Sequence, residues 1–224
     1  METKKDIIQS ENEKINKSPP LPQSEAEWLA TGKFNIETVR IGENNIRCAL
    51  AKGSKGTSLT TMVGGIPRDP KRRENLPLIN KLYGHLAEKM LSVNESSLLY
   101  NQPGTGGSTG DWEKENLKTR VETLVGVADF FYKEVESSSL SIIGTSAGGY
   151  MAVKSAEELK KKGINISKLA LLSPAAYPED IEDIPYGEKF SEVNRKPWDV
   201  ATSPIFPAVR KFVIEGGSVF ISFF

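Results

Sequence analysis

Short apolar runs alternate with amphipathic segments along most of this chain. Apolar residues at Ile36, Val39 and Ile41 precede a turn at 42–45 and a second apolar run at 46–50, which is typical of an antiparallel hairpin. Five more strands are predicted by later apolar runs, at about residues 59–63, 97–100, 140–143, 168–173 and 218–224. The last run is almost entirely apolar, so we expect it to be buried.

Three longer segments between these runs have the spacing of amphipathic helices. The second covers about 116–135, and the third begins at about Ala147 and ends at three lysines followed by Gly163, a common stop signal. A shorter helix is predicted at 204–215. The residues expected to face inward are Leu78, Leu82, Leu86 and Met90 in the first helix, Val121, Leu124, Val125 and Ala128 in the second, and Met151, Ala152, Ser155 and Leu159 in the third.

Strands followed by alternating helices and strands predict an α/β fold, with a mostly parallel sheet and helices on both faces. Such sheets bind ligands at the carboxyl ends of their strands. A chain of 224 residues is long enough for one substantial domain, which we place at 26–224. The polar residues 1–25 predict a disordered tail, since they offer little apolar surface to bury.

The sequence Gly144–Gly148 fits the pattern G-x-S-x-G between a predicted strand and a predicted helix. Glycines on either side of Ser146 let the strand and the helix approach each other, and the turn lifts the serine hydroxyl clear of the sheet. The N–H of Ala147, at the start of the helix, is then able to face an oxyanion. This setting predicts a nucleophile elbow with Ser146 as the nucleophile.

A second match to the same pattern, at 106–110, centres on Ser108. It follows a Pro-Gly pair, has no strand next to it, and is separated from the next helix, so we do not expect a nucleophile there. The same glycine-rich loop fails both common phosphate-binding patterns. Asp111 follows Gly110 where a P-loop needs Lys, and Thr109 stands where a dinucleotide fingerprint needs its third glycine.

Composition narrows the functional classes. The formal net charge is zero, and no basic stripe or polybasic helix predicts binding to nucleic acid or to a membrane surface. The single cysteine, Cys48, is expected in the core of a strand, in a reducing compartment. With no secretory signal or membrane span visible, we expect a cytoplasmic protein without cofactor or metal.

Four features in this order make the chain resemble the α/β-hydrolase superfamily, in its AB hydrolase-1-like branch. They are the opening hairpin, the turn at 64–67 after the third strand, the loop at 100–110 after the fourth, and the elbow after the fifth. The turn and the loop look like those of proline iminopeptidase-like members, although Val63 stands where those members usually have His. The resemblance implies a serine hydrolase of ester, thioester or amide bonds, acting on a small-molecule or peptide acyl substrate through an acyl-enzyme. It also implies an oxyanion hole made by the N–H groups of Ala147 and Ile66, because Pro67 has no N–H.

The family order of the catalytic triad is Ser, then Asp or Glu, then His. The only histidine, His85, precedes Ser146 and falls within a predicted helix, so we expect it to be an ordinary helix residue. The acids after the sixth strand, Glu179, Asp180 and Asp183, are expected on a solvated surface. We therefore expect the chain to stop just after the seventh strand, before the catalytic acid, the histidine, and the last strand and helix of the fold.

Two other interpretations stay open at this point. The first is a hydrolase-like binding or scaffold protein that keeps the elbow and lacks the base, and the second, less favoured, is a Rossmann-type nucleotide binder. A segment at about 174–200, rich in acidic and aromatic residues, predicts a cap over an apolar pocket. The sequence does not predict the oligomeric state.

Overall fold

The computed structural model describes residues 22–65, 69–175, 183–186, 209 and 218–222. Within these residues, seven strands form one sheet in the order β1-β2-β4-β3-β5-β6-β7. The strands are β1 (Asn35–Ile41), β2 (Asn44–Ala51), β3 (Ser58–Val63), β4 (Ser96–Tyr100), β5 (Ser139–Thr145), β6 (Ile166–Leu172) and β7 (Ser218–Ser222). The helices are α1 (Glu25–Ala30), α2 (Pro70–Glu74), α3 (Lys81–Ser92), α4 (Leu117–Glu134) and α5 (Ala147–Lys161).

The sheet is antiparallel at one end and parallel over the rest. The β1–β2 hairpin pairs Ile41 with Asn44, and β2 also runs antiparallel to β4. From β4 through β3, β5 and β6 to β7 every neighbouring pair is parallel. The structure therefore confirms the predicted hairpin and the predicted mostly parallel sheet.

Successive residues of a strand point to opposite faces of the sheet, and each face carries its own core. Leu98 of β4 packs with residues of α4 and α5, whereas its neighbour Leu99 packs with Trp28 of α1 and Tyr83 of α3. Helices thus cover both faces, as the sequence predicts. No helix in the described ranges is both long and apolar enough to cross a membrane.

Helices α4 and α5 bury the residues that the sequence pattern assigns to their inner faces. In α4 the side chain of Asn116 accepts from the N–H of Thr119 (2.8 Å), and the Thr119 hydroxyl accepts from the N–H of Asn116 (3.0 Å). This reciprocal pair is a capping box, which satisfies two backbone donors at the start of the helix.

The inward face predicted for α3 is partly wrong. Leu78 is buried just before the helix and Leu86 is partly buried against the core, but Leu82 is 51% exposed. The helix begins at Lys81 and buries Tyr83, Gly84 and Ala87. Packing against Trp28 sets this orientation, since a Cβ atom added at Gly84 would lie only 2.4 Å from the indole. The sequence pattern alone does not reveal that partner, because α1 itself was not predicted.

The buried seventh strand is also a wrong prediction. Val219 and Ile221 pack against the core, but Phe220, on the other face of β7, is 61% exposed. Apolar composition does not bury a strand when no described element covers one of its faces. Most of the predicted helix at 204–215, most of the tail and most of the predicted cap at 174–200 lie outside the described residues.

Candidate active site

Ser146 forms the junction between β5 and α5 and has a backbone conformation that few side chains adopt. Its φ is 54° and its ψ is −126°, a combination that costs a non-glycine residue about 1–3 kcal/mol. The residue is exposed, and its hydroxyl makes no capping bond to the helix. The strand-turn-helix setting predicted for this serine is therefore present.

Three backbone hydrogen bonds hold this turn. The N–H of Ser146 donates to the carbonyl of Leu172 (3.0 Å), at the end of β6. The carbonyl of Ser146 accepts from the N–H of Gly149 and from the N–H of Ala175, each at 2.9 Å. The strained residue is thus fixed both to its own helix and to the segment that leaves the neighbouring strand.

Glycines are required around the serine because the backbone segments nearly touch. A Cβ atom added at Gly144 would lie 2.3 Å from the carbonyl oxygen of Gly148, and one added at Gly148 would lie 2.2 Å from that of Val63. Contacts this short are repulsive, so these positions exclude any side chain. The spacing of the motif therefore has a steric cause.

The residues that follow β3 lie against the side chain of Ser146. A Cβ atom added at Gly65 would lie 3.1 Å from the Cβ and 3.3 Å from the Oγ of Ser146. Ala147 is the first residue of α5, so its N–H has no partner inside the helix. Ile66, the other predicted oxyanion-hole donor, lies outside the described residues.

A cavity of about 400 Å³ opens beside Ser146, within the size range of small-molecule sites. The lining combines apolar residues from the segment before α3 with polar residues from the ends of β4 and β5. The lining residues are Gly64, Gly65, Leu76, Pro77, Leu78, Asn80, Leu82, Tyr83, Tyr100, Asn101, Gln102, Thr105, Thr145 and Ser146.

Two hydroxyl groups meet on the wall of this cavity. The hydroxyl of Tyr83, from α3, lies 2.8 Å from the Oγ1 of Thr145, the residue just before the serine. Burial raises the pKa of Tyr83, against the lowering effect of this hydrogen bond, so the phenol keeps its proton at neutral pH. Sequence analysis missed this contact, since the two residues are 62 positions apart.

The glycine-rich loop after β4 contributes Asn101, Gln102 and Thr105 to the cavity lining and is held by its own contacts. Ser108 donates its hydroxyl proton to the carbonyl of Asn101 (2.9 Å) and accepts from the N–H of Arg47 (2.9 Å). A hydroxyl bound in this way ties the loop to β2, as expected for a serine outside an elbow. Gln102 donates from Nε2 to the hydroxyl of Tyr100 (2.8 Å).

Behind this loop lies a fully buried cation that the sequence analysis did not identify. Arg120 of α4 donates from Nη2 to the carbonyl of Pro103 (3.0 Å). The Cζ atom of its guanidinium lies 4.1 Å from the ring centroid of Trp112 and 4.9 Å from that of Tyr186. Burial lowers the pKa of Arg120 to about 10, so it remains charged at neutral pH. Its place one turn after the buried Leu117 is a signal that it faces inward.

The other titratable residues considered from the sequence lie elsewhere. His85 is a half-buried residue in the middle of α3 and is not among the described residues that line the cavity. Asp183 is exposed and pairs with Lys118 at 3.4 Å, whereas Glu179 and Asp180 lie outside the described residues. Within the described ranges, no group of three or more His, Cys, Asp and Glu residues is placed to hold a metal ion.

The fold has solved counterparts among α/β-hydrolases. A protein from Agrobacterium vitis S4, assigned as a hydrolase, superposes with a TM-score of 0.56 at 17% identity, over 84% of this chain and 78% of that one. The α/β-hydrolase GrgF from Penicillium sp. sh18 gives a TM-score of 0.53 at 13% identity, over 84% of this chain and 89% of that one. DcsB, solved in complex with its substrate analogue, gives 0.51 at 16% identity, over 73% of this chain and 55% of that one.

This chain therefore adopts the α/β-hydrolase fold, as its resemblance to that superfamily implies. Identities this low show the fold and leave the activity to be argued from the site. No family model matches the chain, and no curated protein matches its sequence significantly.

Proposed function

We propose that this protein is a serine hydrolase of ester, thioester or amide bonds, with Ser146 as the nucleophile. The observation that carries the proposal is the strained turn at Ser146, which presents the residue beside a 400 Å³ cavity and next to Gly65. Strain of this type persists only where the surroundings hold it, and it is concentrated at functional sites.

In the proposed reaction the Oγ of Ser146 forms a bond to the carbonyl carbon of the substrate, and the bond to the leaving group then breaks. The proton of the Ser146 hydroxyl passes through a base to the leaving group, and water later releases the acyl group. The N–H groups of Ala147 and Ile66 would stabilise the oxyanion, and losing one such donor typically lowers turnover about 100- to 1,000-fold. The substrate is a small molecule or a peptide with an acyl group.

The proposal gives no catalytic role to the single histidine. His85 precedes Ser146 and is not among the described residues that line the cavity. Without a histidine base, residues 1–224 would keep a rate only about 1,000- to 10,000-fold above that in water. Turnover of p-nitrophenyl acetate by residues 1–224 should be weak and unchanged by His85→Ala; a His85-dependent rate would contradict this assignment.

The test of the nucleophile is covalent labelling of the protein from its natural source by a fluorophosphonate probe, followed by mass spectrometry of the labelled peptide. We expect the label on Ser146, because attack on phosphorus with loss of fluoride needs an activated hydroxyl. Recombinant Ser146→Ala should abolish labelling, while Ser108→Ala, the matched change in the second G-x-S-x-G sequence, should retain it. Labelling that survives Ser146→Ala would contradict the proposal.

A second candidate function is a non-catalytic binding or scaffold protein. It is favoured by the position of His85, the single histidine, on a helix and apart from the described residues of the cavity. Absence of label on Ser146 in the natural protein, together with ligand binding in the cavity, would support this alternative.

A further inference from the structure

The hydroxyl groups of Tyr83 and Thr145 carry two hydrogens, and the hydrogen bond between them uses only one. Each hydroxyl carries one hydrogen, and the contact between them at 2.8 Å takes one of the two, whichever residue donates. Neither hydroxyl has another hydrogen-bond partner among the described residues. One hydrogen therefore remains for a partner that the described chain does not supply.

The position of the pair indicates where that hydrogen is directed. Both residues line the cavity beside Ser146, and Thr145 is bonded directly to Ser146 in the chain. The Tyr83 hydroxyl is also close to the end of β3, since a Cβ atom added at Gly64 would lie 3.5 Å from it. The pair thus lies between the two strand ends that form the elbow and the bend at Gly65.

We propose that the Tyr83–Thr145 pair is a substrate-binding group, which donates its remaining hydrogen to an acceptor atom, such as a carbonyl oxygen, of a ligand in the cavity. This inference rests on the proposed function, in that it takes the cavity beside Ser146 to be an acyl-substrate site. We therefore expect the cavity to bind ligands with an acceptor atom at this wall more tightly than ligands of the same shape without one. A donor left unpaired is the physical source of that preference.

The environment of the pair fits this role. Tyr83 is 9% exposed, and a donor in such a partly dry site interacts more strongly than one in water. The raised pKa of Tyr83 keeps the phenol protonated over the neutral range, so the donor is present at neutral pH. A purely structural role, tying α3 to β5, would use one hydrogen and leave ligand preference unaffected.

The experiment compares two nearly isosteric ligands, acetophenone and α-methylstyrene, which differ in having a carbonyl oxygen or a methylene group. Binding to residues 1–224 is followed by NMR titration of the Gly65 and Ser146 amide resonances, in the wild type and in the double variant Tyr83→Phe/Thr145→Val. Both substitutions keep the shape and remove the hydroxyl groups. Thermal unfolding of each protein checks that the fold is kept.

We expect the double variant to weaken acetophenone binding about 2- to 10-fold relative to α-methylstyrene, the value of one neutral hydrogen bond. The matched control, Tyr132→Phe/Thr38→Val, removes the same groups from a half-buried position on α4 and an exposed one on β1, and should leave the ratio unchanged. An unchanged ratio in the double variant, or an equal loss in the control, would overturn the inference.

The outcome is separable from that of the labelling test. The binding ratio and the covalent label are separate measurements, because reversible binding of a ketone does not require attack by Ser146. A preference for the ketone without label on Ser146 would overturn the proposed function and keep this inference. Label on Ser146 without the preference would support the proposed function and overturn this inference.

Discussion

At the scale of single residues, the conformation of Ser146 is imposed by its neighbours. Its backbone is fixed by Leu172, Gly149 and Ala175, and its helix approaches β3 so closely that Gly148 has no room for a side chain. The hydroxyl contributes nothing to this arrangement that the structure records, so it is left available for chemistry. Replacing the serine and replacing the glycines should therefore have different effects.

Gly148→Ala tests the steric requirement of the elbow. The added Cβ would lie 2.2 Å from the carbonyl oxygen of Val63, so β3 and α5 must separate, and we expect a loss of about 1–3 kcal/mol in the free energy of unfolding. Urea unfolding followed by circular dichroism measures it. Gly64→Ala is the matched control, since its Cβ has ordinary contacts at 3.5 Å and should change stability by less than about 0.5 kcal/mol.

Cys48 makes a prediction about alkaline pH. The thiol is fully buried, and burial raises its pKa from 9.0 to about 12, with the charge of Glu37 adding to the shift. Above the ordinary pKa the unfolded chain loses this proton while the folded chain keeps it, so stability falls as pH rises. The stability contribution of the protonated thiol is fully present below pH 9 and is lost progressively towards pH 12.

Cys48→Ala should remove this part of the pH dependence. Between about pH 8 and about pH 10 the wild type should lose about 1.4 kcal/mol more than the variant, which corresponds to one pKa unit. The measurement is urea unfolding of both proteins at several pH values. All other titrating groups are shared, so parallel curves for the two proteins would show that the thiol titrates normally.

At the scale of elements, the start of α4 matters because this helix covers one face of the sheet. Its capping box depends on Asn116, whose side chain accepts from the N–H of Thr119. Asn116→Ala should lower the free energy of unfolding by about 0.5–2 kcal/mol. Glu122→Ala, at an exposed position of the same helix, is the control and should have little effect on the same measurement; equal effects would contradict the capping argument.

Elements with local signals were predictable from the sequence. The β1–β2 hairpin follows from alternation and a turn, and α4 and α5 follow from apolar spacing with an Asn start and a Gly stop. The elbow was predictable for a related reason. Strand, glycines, serine and helix follow one another within a few residues of Ser146, so the geometry is encoded next to the residue that it positions.

Contacts between distant segments were not predictable in this way. The orientation of α3 depends on Trp28 packing over Gly84, and the donor pair at the cavity joins Tyr83 to Thr145 across 62 positions. Residue propensities and hydrophobic periodicity describe only residues close together in the sequence, so they do not reveal contacts between distant segments. The sequence therefore indicated which residue sits in the elbow, but it did not indicate which side chains surround the cavity.

At the scale of the whole molecule, the sheet has two different margins. One margin is β1, covered in part by α4, and the other described margin is β7, which pairs with β6 on one side. Phe220 projects from β7 with 61% of its surface exposed. A large exposed apolar residue on a strand of this kind favours association between chains.

Phe220→Lys should reduce self-association of residues 1–224. A charge on the strand disfavours pairing between sheets, and we expect the dissociation constant of any dimer to rise roughly 10-fold, equivalent to about 1.4 kcal/mol. Sedimentation velocity over a concentration series measures it. Val93→Lys, at a similarly exposed apolar residue (65%) at the end of α3, should not change association. A wild type that stays monomeric throughout would contradict the prediction.

The bonds from Ser146 to Leu172 and Ala175 have a consequence for how such a protein diversifies. They anchor the turn at Ser146 to the last residue of β6 and to the first few residues after it, so sequence changes beyond Ala175 leave these bonds in place. In the proposed hydrolase, insertions beyond that point could alter selectivity while the backbone of Ser146 keeps its anchors.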